Sequence, residues 1–105
     1  MPNPNIHKVS YYPKFFGITR TTTSTLTLSF LYDLAKEKGS NSFYVTYRHL
    51  VENLGINQSM ARGAILNFKT SPFLTITVNA TKEGHYFQLA LSKLDALLGG
   101  EGNGL

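Results

Sequence analysis

His49-Leu50-Val51-Glu52-Asn53-Leu54-Gly55-Ile56-Asn57-Gln58-Ser59-Met60-Ala61-Arg62-Gly63-Ala64-Ile65 is the stretch whose reading decides the fold. Its apolar residues recur at helical spacing on both sides of Leu54-Gly55-Ile56, where the run breaks. A glycine at position 55 permits the left-handed backbone that reverses direction within a few residues. Thr46 caps a helix over residues 47–54 and turns Leu50, Val51 and Leu54 inward. Asn57 caps a further helix over residues 58–70, with Ala61, Ala64, Ile65 and Phe68 as its inward stripe. Pro72 ends the second of them.

Upstream, residues 23–38 (TSTLTLSFLYDLAKEK) read as the first helix of the domain. Leu26, Phe30, Leu31, Leu34 and Ala35 gather on one broad face. Thr23 or Ser24 caps its start, and Gly39 closes it. Phe43-Tyr44-Val45 is aromatic and β-branched, as a short strand is. Downstream, residues 73–79 and 85–91 are two strand-like runs, with Ala80-Thr81-Lys82-Glu83-Gly84 as the hairpin loop. Ser92 opens a last short helix, with Asp95 three residues on as in a capping box. Residues 99–105 read as a flexible tail. Residues 1–22 lack any helical period and are punctuated by Pro2, Pro4 and Pro13, so they read as an extended arm. Val9 to Tyr12 are strand-like within it.

The chain has 105 residues, enough for one domain with a real core. Apolar residues make up 42% and charged residues 15%, which excludes a disordered chain. Cysteine is absent, so disulfides, thiolate metal sites and cysteine nucleophiles are excluded. No long uncharged apolar run exists, and the N-terminal residues carry no secretory pattern, so a cytoplasmic setting is expected. His7, His49 and His85 fit no metal spacing. No nucleophile elbow or phosphate-binding glycine loop is present. The reading is therefore of a protein without catalysis or cofactor. The net charge is +4 and it is unevenly placed. Residues 1–22 carry Lys8, Lys14 and Arg20 without an acid. Residues 57–69 carry Arg62 and Lys69, again without an acid.

The order helix, strand, helix, turn, helix, hairpin, helix resembles the winged helix-turn-helix family of DNA-binding domains. The resemblance covers residues 23–98 and is carried by the stretch quoted first. It implies an α+β fold: a three-helix core, a β-hairpin wing and a short C-terminal helix. The chain looks like the small regulators and partition proteins of archaeal viruses and plasmids. In such a fold the helix over 58–70 reads DNA. Its outward face holds Gln58, Ser59, Arg62, Gly63 and Asn67, with Asn57 at its mouth. Arginine pairs with guanine, and glutamine or asparagine with adenine, in the major groove. Lys69, Tyr47 and Arg48 are phosphate candidates, and Leu66 also points outward. Lys82, with Thr81 and His85, is the wing's contribution. Lys8, Lys14 and Arg20 hold the backbone from the arm. Gly63 departs from the pattern, because glycine inside a helix costs about 1 kcal/mol against alanine.

The arm aromatics Tyr11, Tyr12, Phe15 and Phe16 are expected to pack on the body or on a second subunit rather than on bases. Leu28, Leu31, Leu94, Leu97 and Leu98 are the expected surfaces of a homodimer, with the arm as a possible partner contact. Three functions follow. One is a dimeric, sequence-specific regulator bound to double-stranded DNA. Another is a DNA-organising or partition protein that spreads on DNA. The last is an adaptor that has kept the fold without DNA binding.

Overall fold

Residues that punctuate helices set the boundaries of the architecture. The structure, a computed structural model, describes residues 10–76 and 84–99. A 3-10 turn (Pro13–Phe15) runs into α1 (Phe16–Thr19), followed by α2 (Thr22–Lys38) and β1 (Ser42–Thr46). Then come α3 (Tyr47–Leu54), α4 (Gln58–Phe68), β2 (Leu74–Ile76), β3 (Gly84–Leu89) and α5 (Leu91–Leu98). The fold is α+β. Three side chains cap helices: Thr21 accepts from the Ser24 amide, Thr46 from that of His49, and Asn57 from that of Met60. Each bond satisfies an amide that the first helical turn leaves free. Gly55 ends α3 with φ 69° and hands the chain to α4 through Ile56 and Asn57.

The sheet has the order β1-β3-β2 and is antiparallel throughout. Phe43 lies opposite Phe87, Thr46 opposite Gly84, and Leu74 opposite Leu89. Gly84 is the first residue of β3 rather than part of a loop. A Cβ there would stand 2.2 Å from the Val45 carbonyl oxygen, so only glycine lets the two strands meet at this rung. One face of the sheet closes on the helices through Phe43, Val45, Phe87 and Leu89, all buried. Tyr44 and Tyr86 meet on the opposite face with their rings tilted at 53°.

Three expectations are corrected. First, the arm is not extended over residues 13–19. That segment is helical, and it places Phe15 in the centre of the core at 0% exposure. Tyr12 packs beside it, tilted against Phe15 and edge-on to Tyr32. Tyr11 and Phe16 stay exposed. Residues 10–12 form no strand.

Second, Leu28, Leu31 and Leu94 are core residues of the chain itself and offer nothing to a second subunit. Leu97 and Leu98 are half-buried against the same core. The buried face of α2 shares Leu31 and Ala35 with the expected one but is rotated from it. Leu28, Leu31, Tyr32 and Ala35 are buried together with Ser24, Thr25, Thr27 and Ser29, while Leu26, Phe30 and Leu34 are only half-buried. The hydroxyls tolerate this because three of them find a carbonyl one turn back and that of Ser24 accepts from the Asn67 amide. Thr25 donates to Thr21, Thr27 to Thr23 and Ser29 to Thr25, at 2.7–2.8 Å. A buried hydroxyl with a partner carries little of the cost of an unpaired one.

Third, Ser92 does not cap α5. The helix begins at Leu91, and Asp95 serves the tertiary structure instead, accepting from the Tyr32 hydroxyl and pairing with Lys36 at 3.1 Å. These two bonds fasten α5 to α2.

Candidate nucleic-acid interface

α4 packs on α2 and α3 through Ala61, Ala64, Ile65 and Phe68, all buried. Helical spacing then forces the intervening side chains outward. Gln58, Ser59, Arg62, Gly63 and Lys69 are exposed, as is Asn57 at the mouth of the helix. Among these positions there is no acid. The structure thus brings six of the sequence-derived candidates onto one face. Leu66 stands on the same helix at 62% exposure, and Met60 at 41%.

Arg62 is steadied by Tyr47. Its guanidinium lies 5.6 Å from the centre of the Tyr47 ring, within reach of a cation–π attraction. The Tyr47 ring also meets His85 edge-on at 5.5 Å. Tyr47 therefore links the start of α3, the start of β3 and the outward face of α4. Arg48 is exposed and paired with Glu52 at 2.9 Å, so its charge is partly answered within its own helix.

Other candidates stand elsewhere. Asn67 is half-buried at the groove between α4 and the turn before α2, where its amide donates to the Thr19 carbonyl at 2.5 Å and to the Ser24 hydroxyl at 2.9 Å. It joins α4 to the turn before α2. His85 is buried, and its Nδ1 has no hydrogen-bond partner among the described residues. Burial, and then the nearby Lys69 cation, push its pKa below the ordinary histidine value, which favours the neutral ring at pH 7. The Lys14 ammonium lies beside Gly99, at the C-terminal end of α5, where a cation suits the helix dipole. Lys8, Thr81 and Lys82, and the tail after Gly99, lie outside the described residues.

Arg20 has a setting that its place in the sequence does not announce. It is exposed, and its φ of 68° makes it the one described non-glycine residue in the left-handed region. Arg20, Thr21, Thr23 and Ser24 form one wall of an open groove of about 550 Å³. Met60, Gly63, Ala64 and Asn67 of α4 form the other wall. Met60, Thr21 and Thr23 were not among the sequence-derived site residues. Met60 was within reach of that reading, since it precedes Gly63 by three residues and shares its face.

No family model, curated protein or solved structure matches the chain. Among the described residues no helix is long and apolar enough to cross a membrane. No group of three or more histidine or acidic side chains among them is placed to hold a metal ion.

Proposed function

We propose that the chain is a winged helix-turn-helix module that binds double-stranded DNA in a sequence-specific way, with α4 in the major groove. One observation carries this reading. α4 is set after a tight turn, capped by Asn57, and turns an acid-free face of Gln58, Ser59 and Arg62 to solvent. These side chains carry the donors and acceptors that base edges require. Lys69 is placed for a phosphate. The order of the sheet, with β2 and β3 adjacent and β1 joined to β3, agrees with a hairpin wing built on a short strand.

The test is a selection from random duplexes, followed by binding measured across a salt series. Affinity is expected to fall linearly with salt on logarithmic axes, and Arg62→Ala is expected to cost about 1–3 kcal/mol and relax preference at one position. A short palindromic footprint indicates a dimeric regulator, and continuous protection indicates spreading along DNA. Absence of salt-sensitive binding to any duplex at low ionic strength refutes the DNA reading. The competing reading is an adaptor that docks a protein, and the exposure of Leu66 in the middle of this face favours it. In that case Leu66→Ala weakens the partner complex, and Arg62→Ala has little effect.

A further inference from the structure

Gly63 is not explained by the fold. A Cβ at this position would meet none of the described residues within 4 Å, so no packing among them calls for glycine. Glycine in a helix interior nevertheless weakens the helix relative to alanine. Across the groove, Arg20 holds a left-handed backbone that is also unfavourable for a residue with a side chain. Its surroundings keep it there. Asn67 bonds the Thr19 carbonyl just before it, and the Thr19 hydroxyl lies 2.5 Å from that of Thr25. Two locally unfavourable choices, on different elements, thus line the same groove.

The groove has a definite chemical character. Among the described residues Arg20 is its sole charged lining residue, and no acid lines it. Met60, Ala64 and the bare backbone at Gly63 supply an apolar wall, and Thr21 and Thr23 supply hydroxyl-bearing edges. A ligand that is anionic at one point and weakly polar beside it fits that pattern. We propose that the groove takes the sugar–phosphate backbone of one DNA strand, with a deoxyribose against Met60 and Gly63 and its phosphate at the Arg20 guanidinium. The inference rests on α4 being the element that meets DNA. It adds to that reading a reason for Gly63: the missing side chain admits a backbone, rather than a base, against the helix. It also moves Arg20 from a loose arm to a fixed wall of the site.

The experiment uses the full chain, a labelled duplex at low ionic strength and a salt series, together with thermal melts. Gly63→Ala is expected to melt about 4 °C higher, because it gains helix propensity without a clash. It is nonetheless expected to bind duplex more weakly, and Gly63→Leu is expected to lose about tenfold or more, both with an unchanged salt slope. Arg20→Gly is expected to melt no lower than the parent, since glycine adopts the left-handed backbone freely. Its salt slope is expected to flatten by roughly one, the signature of one lost phosphate contact. Full affinity in both Gly63 variants, or an unchanged slope in Arg20→Gly, overturns the groove assignment while parental DNA binding persists. A parental chain that binds no duplex overturns the DNA reading itself, and this proposal with it. Variants that leave duplex binding intact but abolish capture of an acidic polypeptide assign the groove to a protein instead.

Discussion

His85 stands at the start of β3 with its ring edge-on to Tyr47, and its Nδ1 is buried without a partner among the described residues. Burial is the main cause of its lowered pKa, and the Lys69 cation adds to it. The unfolded chain therefore binds a proton at higher pH than the folded one. Stability from this residue is complete above the ordinary histidine value of 6.5 and declines as pH falls below it, levelling once the folded ring is protonated. Denaturant midpoints are expected to drop between pH 7.5 and 5, and His85→Phe should flatten that decline. An equally steep decline in the variant would exclude His85 as its source. Asp95 acts in a different window. The Tyr32 hydroxyl and Lys36 hold its pKa below the ordinary 3.8, so the stability it supplies is present above that value and lost as pH falls through the lowered one. Asp95→Asn should leave neutral stability lower and remove the acid-side loss, as read from melts between pH 5 and 2. Tyr47 poses a third question at this scale. If its ring steadies Arg62, Tyr47→Phe keeps duplex affinity and Tyr47→Ala weakens it. Equal loss in both would assign the effect to the hydroxyl.

Individual elements differ in how openly the sequence displays them. α3 runs over the expected residues because Thr46 and Gly55 act through local chemistry, a hydroxyl on an amide and a left-handed glycine. α4 begins where Asn57 places it, and Asn57→Ala should cost about 1 kcal/mol in chemical denaturation. The outward residues Gln58, Ser59 and Arg62 were legible for the same reason, since periodicity alone assigns them a side. Asn67 was not. Its partners, Thr19 and Ser24, lie 48 and 43 positions away, and no local pattern reports them. α2 misleads because its buried face is partly threonine and serine. Their hydroxyls return to their own helix, so a polar sequence conceals a buried surface. The segment before it misleads differently. Prolines and a missing period suggest an extended arm, yet Phe15 fills the core. Phe15→Ala should cost about 3–5 kcal/mol in chemical denaturation. Removing residues 1–20 should accordingly unfold the domain rather than isolate a loss of phosphate contacts. A truncated chain that keeps its cooperative melt would contradict that placement.

At the scale of the whole molecule, the sheet unites distant parts of the chain. β1 pairs along its length with β3, while α3 and α4 lie between them in sequence. Such closure carries an entropic cost that local helix contacts do not share. In native-state hydrogen exchange, the paired amides of β1 and β3 should open together and only on global unfolding, and those of α1 earlier. Earlier opening of the β1 and β3 amides would place the stable centre among the helices instead.

The rung between Thr46 and Gly84 has a mechanical meaning as well. Thr46 is also the cap of α3, so the helical head is clasped at its base, with Gly84 on the facing strand drawn so close that no side chain fits between them. A head held this way does not swivel on a single hinge. In the proposed DNA complex, a mismatch of surfaces would then be met by bending of the duplex.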